Sequence, residues 1–222
     1  MGIPVSLKVL DSNSTISKNI LSVIKEVLNE AIVRASDDIV KRLREVFKNT
    51  ITNDDTWLSL QSDDLSLPNL KAEFGLPSGE VSTRLNNILN EWLKQILVRP
   101  VMLKGTTVLR GGLELMFLDT NWKDVIELRD SIVTTHKGKE LNWLDWLLTK
   151  GDTTIIREYH VRITPGAGRS ELGVMVKKGR WHVPREFSGT TNNNFVTKII
   201  DHLFKMGVVE NIIEQEITNQ LG

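Results

Sequence analysis

The first residues to weigh for chemistry are four histidines, His136, His160, His182 and His202, because imidazole binds metals and moves protons near neutral pH. His160 and His182 fall in neighbouring strand-like segments, and with Glu158 they form a conceivable ligand set. Their spacing argues for less. Glu158 and His160 stand two apart on the wetter side of a strand, and neither HExxH nor HxxxH occurs. Solvated strand residues are the expectation, with no metal and no cofactor. The stretch PGAGRS (Pro165 to Ser170) invites a phosphate-loop reading, but the P-loop and dinucleotide spacings are both missing and a strand follows instead of a helix. A flexible hairpin loop carrying Arg169 is the better account. No GxSxG element supports a serine nucleophile.

The densest polar run is WHVPREFSGTTNNNF (Trp181 to Phe195). Trp181 and Val183 continue a strand, and Pro184 lacks the donor needed to extend it. Gly189 permits a turn, while Thr190, Thr191 and Asn192 to Asn194 offer oxygens to the free N–H groups of a helix start. The run reads as a strand-to-helix junction, with anion binding at the cap as the sharper alternative. NWLDWLL places Trp143 and Trp146 three apart around Asp145, which suits core packing or an interface anchor better than base stacking.

The elements that must position these residues follow from periodicity. From Ser14 to Ile51 apolar residues recur every three or four positions, as on a helix, with Ser12 or Ser14 as cap. Ser36-Asp37-Asp38 interrupts the apolar pattern, so the segment is either two packed helices or one arm reaching a neighbouring subunit. Turn residues crowd Asn53 to Asp55, Ser66 to Asn69 and Leu76 to Gly79, around LKAEFGLP (Leu70 to Pro77), a strand or a single helical turn. A helix opening at Thr83 or Asn86 ends at Pro100. Val101 to Asp119 reads as strands, with Gly111-Gly112 a tight hairpin or a bulge. Short helices over Trp122 to Arg129 and Leu141 to Leu148 precede a three-stranded meander: Thr154 to Ile163, Glu171 to Lys177, and, after a turn at Gly179, Arg180 to Val183. Leu141, Leu144, Leu147 and Leu148 are expected on one helical face. Phe195 to Phe204 and Val208 to Ile217 close the chain as helices separated by Gly207. The fold class is α+β: one domain over 1–222, with a helical half (about 14–98) and a sheet-plus-helix half (about 101–219).

Composition limits the function. The 222 residues carry 28 Lys+Arg and 28 Asp+Glu. Zero net charge argues against a dedicated nucleic-acid binder, leaves room for a local basic patch, and does not oppose self-association. The absence of cysteine removes disulfide and thiolate chemistry. No apolar run reaches eighteen residues, so no membrane span is expected. Gly2 and Ser6 in MGIPVS fit a loose myristoylation pattern.

Several stretches together resemble neck or tail-completion (head–tail joining) proteins of tailed bacteriophages. The long charged helix followed by LPNLKAEFGLPSG (Leu67 to Gly79) is similar to the helix and x-G-x-L-R/K-x-x-F/I pattern of head–tail joining proteins, with Pro68-Asn69 where those carry a glycine. ELNWLDWLLTKGD (Glu140 to Asp152), REYHVRI (Arg157 to Ile163), GRSELGVMV (Gly168 to Val176) and WHVPREFSGTTNNNFVTKII (Trp181 to Ile200) resemble virion proteins of phages. The resemblance implies a virion structural protein, assembled in the host cytoplasm as a ring, a hexamer or dodecamer, between connector and tail. It also implies no enzymatic step, no cofactor, and non-specific contact with DNA in the lumen.

The expected partners are therefore further copies of the chain and neighbouring connector and tail proteins, met through Arg169, Trp143, Trp146, Trp181 and Arg185. Plain core burial is the alternative for the three tryptophans. Two other functions stay open. One is a nucleic-acid-processing or phosphate-handling enzyme using Arg157, Arg162, Arg169, Lys177 and Lys178, which requires a concave basic pocket with a buried carboxylate. The other is a phage assembly chaperone absent from finished particles.

Overall fold

The helical period of the first segment holds without a break: α1 runs from Asn13 to Thr52, 40 residues or about 60 Å. Ser12 caps it by accepting from the Thr15 N–H at 3.2 Å. The polar patch at Ser36 does not split it, because the Ser36 hydroxyl donates to the Ile32 carbonyl at 2.7 Å within the helix. Residues four apart form its buried ridge, Ala31, Ala35, Ile39, Leu43, Phe47 and Ile51. The computed structural model describes residues 12–65, 68–118 and 121–221. The myristoylation pattern at Gly2 and Ser6, like Ser66, Leu67 and Asp119, lies outside the described residues.

Three short helical elements brace this rod. Asp54 caps α2 (Asp55–Gln61). Asn69 caps α3 (Leu70–Phe74), and its amide also donates to the Ser62 and Asp64 carbonyls. LKAEFGLP is thus a single helical turn and not a strand. Next, α4 (Val81–Gln95) starts ahead of Thr83 and Asn86 and ends before Pro100. Pro100 stands inside β1 (Leu97–Lys104), opposite Leu113 of β2 (Arg110–Met116). A two-stranded ribbon has outer edges that need no ladder donor, so proline is tolerated there. The turn of this hairpin falls at residues 105–109, and Gly111-Gly112 lies within β2, where the register shifts between Val101 and Lys104. The glycine pair marks a bulge: a Cβ on Gly111 would lie 2.7 Å from the carbonyl oxygens of both Val101 and Met102.

The second half builds further two-stranded ribbons, not one sheet. After α5 (Lys123–Ile126) and a 3-10 turn at Arg129–Ser131, β3 (Val133–Thr134) pairs with β4 (Glu140–Leu141). Leu141 therefore belongs to β4, and the face of α6 (Trp143–Thr149) is Trp143, Leu144, Leu147 and Leu148. β5 (Ile156–Ile163) pairs antiparallel with β6 (Gly173–Trp181). The expected third strand does not exist as such. The chain does not turn at Gly179 but continues through a bulge, so Arg180 and Trp181 pair with Arg157 and Ile156. Helices α7 (Phe195–Lys205) and α8 (Val208–Leu221) follow, parted by Gly207 at φ 66.

The fold is α+β. One hydrophobic cluster draws on both halves of the chain, from Ala35 to Ile212. At its centre Trp92 packs against Trp57, Trp122 and Phe195, and Phe74 packs against Trp143 and Trp181. An Arg42–Glu216 ion pair at 2.7 Å ties α8 to α1.

Candidate interaction surface

Trp143 and Trp181 are withdrawn from any partner. Trp143 is fully buried and its indole N–H donates to the Asp130 carbonyl at 3.0 Å. Trp181 is 3% exposed, and its N–H donates to Glu73 Oε2 at 2.6 Å. Trp146 is half-buried with its ring edge-on to Trp181. The expectation of partner contact through Trp143 and Trp181 is thus corrected: rings at helical and strand-end spacing fill the core, because each N–H finds an acceptor there.

Arg169 is a strut. Its Nη1 donates to the Thr134 carbonyl at 2.6 Å, its guanidinium lies over Gly75, and its own carbonyl accepts from the Ser78 N–H at 3.3 Å. Burial, with Arg84 nearby, lowers its pKa. The 164–172 turn expected to be a flexible loop is pinned by these bonds to the α3–α4 connection and to β3. Arg185 is exposed, and its closest acid is Asp152 at 3.9 Å.

The polar run before α7 is a junction built around Asn194, itself 1% exposed. Its Oδ1 accepts from the Val196 and Thr197 N–H groups, and its amide donates to the Leu148 and Thr190 carbonyls. Thr197 returns a bond to the Asn194 N–H, completing a capping box. Gly189 makes room for this seat, since a Cβ there would lie 2.4 Å from that of Asn194. Asn194→Ala is expected to lose about 2–3 kcal/mol in urea unfolding, a lost cap plus the loss of the Leu148 carbonyl's side-chain donor, while the Thr190 carbonyl keeps the Asn193 N–H. The exposed Asn192→Ala should change stability by less than about 0.5 kcal/mol.

The histidines do not gather. His160 Nδ1–H donates to the Lys178 carbonyl at 2.5 Å, and His182 Nδ1–H to the Val183 carbonyl at 2.7 Å. Among the described residues no three His, Asp or Glu side chains group as metal ligands. Glu73 is a carboxylate under the electrostatic influence of both His182 and His160. Burial raises its pKa, against the opposing influence of the Trp181 hydrogen bond and the nearby histidines. A raised folded-state pKa means the native state holds the proton longer than the unfolded chain. Stability from this group is therefore greatest below its ordinary value of 4.5 and falls as pH rises through the folded pKa. Glu73→Gln, which still accepts from Trp181, is expected to be more stable than the parent at pH 7 and to flatten the decline of melting temperature above pH 4.5. Thermal unfolding across pH 4 to 8 checks it.

A cleft of about 640 Å³ opens between α2 and α7, floored by Leu58, Phe187 and Phe195 and edged by Asp54, Asp55 and Glu186. Its rim is acidic, and none of Arg157, Arg162, Arg169, Lys177 or Lys178 lines it. Those cations other than Arg169 stand exposed on β5 and β6.

Among the described residues a row of exposed apolar side chains lies on the rod. The buried ridge of α1 ends at Ala31, yet the same four-residue row continues as Val27 and Val23, which are 50% and 62% exposed. Ile20 and Ile24 flank them, also exposed. The β1–β2 hairpin runs alongside α1 in the opposite direction: Arg44 donates to the Ile96 carbonyl, and the Leu103 N–H donates to Asn29 Oδ1 at 2.7 Å. The seven-residue strand advance, about 23 Å, matches the fifteen-residue helix advance, about 22 Å. Val101, Met102 and Val108 add exposed apolar surface to this projecting end. The signal was present in the sequence as an unchanged apolar period, but periodicity alone does not say where the monomer stops covering it.

No protein-family model, curated protein or solved structure matches the chain. No helix among the described residues is long and apolar enough to cross a membrane.

Proposed function

We propose that this protein is a structural component of the phage virion at the head–tail junction, a neck or tail-completion protein that assembles as a ring between connector and tail. The observation that carries the reading is the uncovered apolar row of α1. Ile20, Val23, Ile24 and Val27 are β-branched, which lowers helix propensity, and among the described residues they stand 43–62% exposed. A helical segment so composed gains stability chiefly by packing its apolar face, and an exposed patch of this kind marks a protein contact. Self-contact through surfaces at two different places on the chain gives a ring when the rotation between copies closes and an open filament when it does not. The resemblance read in the segments from Glu140 to Ile200 is what supports the head–tail junction as the location.

Sedimentation velocity and negative-stain imaging of the purified protein, alone and with connector protein, test this. Closed rings or a discrete oligomer are expected. Monodisperse monomers under both conditions overturn it. Detection of the protein in purified particles by mass spectrometry separates a virion component from an assembly chaperone.

A further inference from the structure

The β5–β6 hairpin carries charge that no ion pair among the described residues neutralises. Its two strands hold five cations, Arg157, Arg162, Lys177, Lys178 and Arg180, against one acid, Glu158. All five cations are exposed. Among the described residues none makes an ion pair within 4.0 Å, although nine such pairs occur elsewhere. Arg157 and Arg180 are direct cross-strand partners, a placement that destabilises a ribbon when the charges are alike. The bulge beside them adds strain: Glu158 at φ 68 and Lys178 at φ 85 are non-glycine residues in the left-handed region. His160 braces the bulge through its bond to the Lys178 carbonyl. Like-charge pairing, absent counter-ions and backbone strain thus coincide on one ribbon.

We infer that this hairpin is a binding site for the phosphate backbone of double-stranded DNA. The strand advance from Arg157 to Arg162 is about 17 Å. That length of duplex axis carries about five phosphates per strand. Three of the five cations are arginines, whose planar fork pairs with phosphate oxygens in bidentate fashion. A docking protein needs an apolar centre in its interface. The exposed apolar residues of this hairpin, Ile163 and Met175, sit toward its turn, away from the Arg157–Arg180 level. Contact with phosphates is independent of base sequence. The site is local, on a chain of zero net charge. It does not depend on ring assembly, so the two readings stand or fall separately.

The test is fluorescence anisotropy with a labelled random-sequence duplex across 50 to 200 mM salt. The parent protein is compared with R157Q/K178Q/R180Q and with K18Q/K25Q/R34Q, which removes the same charge from α1. The hairpin variant is expected to bind at least tenfold more weakly at 50 mM salt, with a salt slope shallower by about 2–3, at roughly 0.9 per phosphate contact. The α1 variant should bind like the parent. In the parent protein itself, duplex DNA should protect Lys177 and Lys178 from acetylation while leaving Lys18 and Lys25 reactive, a readout that needs no variant to fold. Absence of DNA binding, equal loss in both triple variants, or unprotected Lys177 and Lys178 overturns the inference. So does binding of a polyglutamate peptide in place of DNA, which would assign the hairpin to an acidic protein.

Discussion

Trp92→Ala is expected to remove about 3–5 kcal/mol of folding stability and to leave the protein unfolded or molten at 37 °C. Trp92 is 1% exposed and its ring meets Trp57, Trp122 and Phe195 at centroid distances of 6.2 to 6.5 Å. It joins α4 to α2, to the segment before α5 and to the start of α7, so its removal opens a cavity shared by four parts of the chain. Trp92→Phe separates packing from hydrogen bonding. The Trp92 indole N–H is buried without an acceptor among the described residues, whereas those of Trp122, Trp143 and Trp181 donate to Thr191, Asp130 and Glu73. Phenylalanine at position 92 therefore gives up volume only, about 1–2 kcal/mol. The same change at Trp143 also removes a hydrogen bond from the Asp130 carbonyl, which keeps Arg84 Nη1 at 3.3 Å, and should cost about 0.5–1 kcal/mol more. Chemical denaturation with near-ultraviolet circular dichroism reads both. A Trp92→Phe loss equal to that of Trp92→Ala would sink the packing argument.

Particular residues show what the sequence could and could not convey. The apolar period over Ser14 to Ile51, the cap at Ser12 and the junction ending at Asn194 were legible, because each is a local pattern with a local cause. Gly179 misled, since a glycine between two strand-like runs serves a bulge as readily as a turn, and only pairing with Ile156 and Arg157 decides. That slip hid Arg180, and with it the like-charge pair, because a cross-strand neighbour is a fact of register. For Trp143 and Trp181 the sequence offered both core burial and partner contact, and the structure bears out burial. What fills the space over them, Phe74 for both, lies about 70 to 110 residues away in sequence. Glu73 was read only as part of a short apolar turn, and its role as acceptor for Trp181 is likewise a tertiary fact.

The second large effect concerns association. Val23→Lys with Val27→Lys is expected to dissolve the oligomer while leaving the monomer folded. Both side chains are at least half exposed, and lysine is a better helix former than valine, so the monomer should melt at an equal or slightly higher temperature. Completing the burial of four half-exposed aliphatic side chains is worth about 1 kcal/mol each, or about 4 kcal/mol together. Two charges driven into that seam oppose association further. The association constant should fall at least ~1000-fold, enough to convert a micromolar assembly to monomer at working concentrations. The control is two steps further along the same row. Ala35→Lys, at a fully buried position two turns on from Val27, should abolish folding outright. One row of α1 thus splits at Ala31 into a part that the fold covers and a part that stands exposed, which the proposed ring contact would cover. Sedimentation velocity and thermal unfolding of the two variants separate these outcomes. An assembly that survives Val23→Lys and Val27→Lys would place the ring contact elsewhere and leave the exposed row without a role.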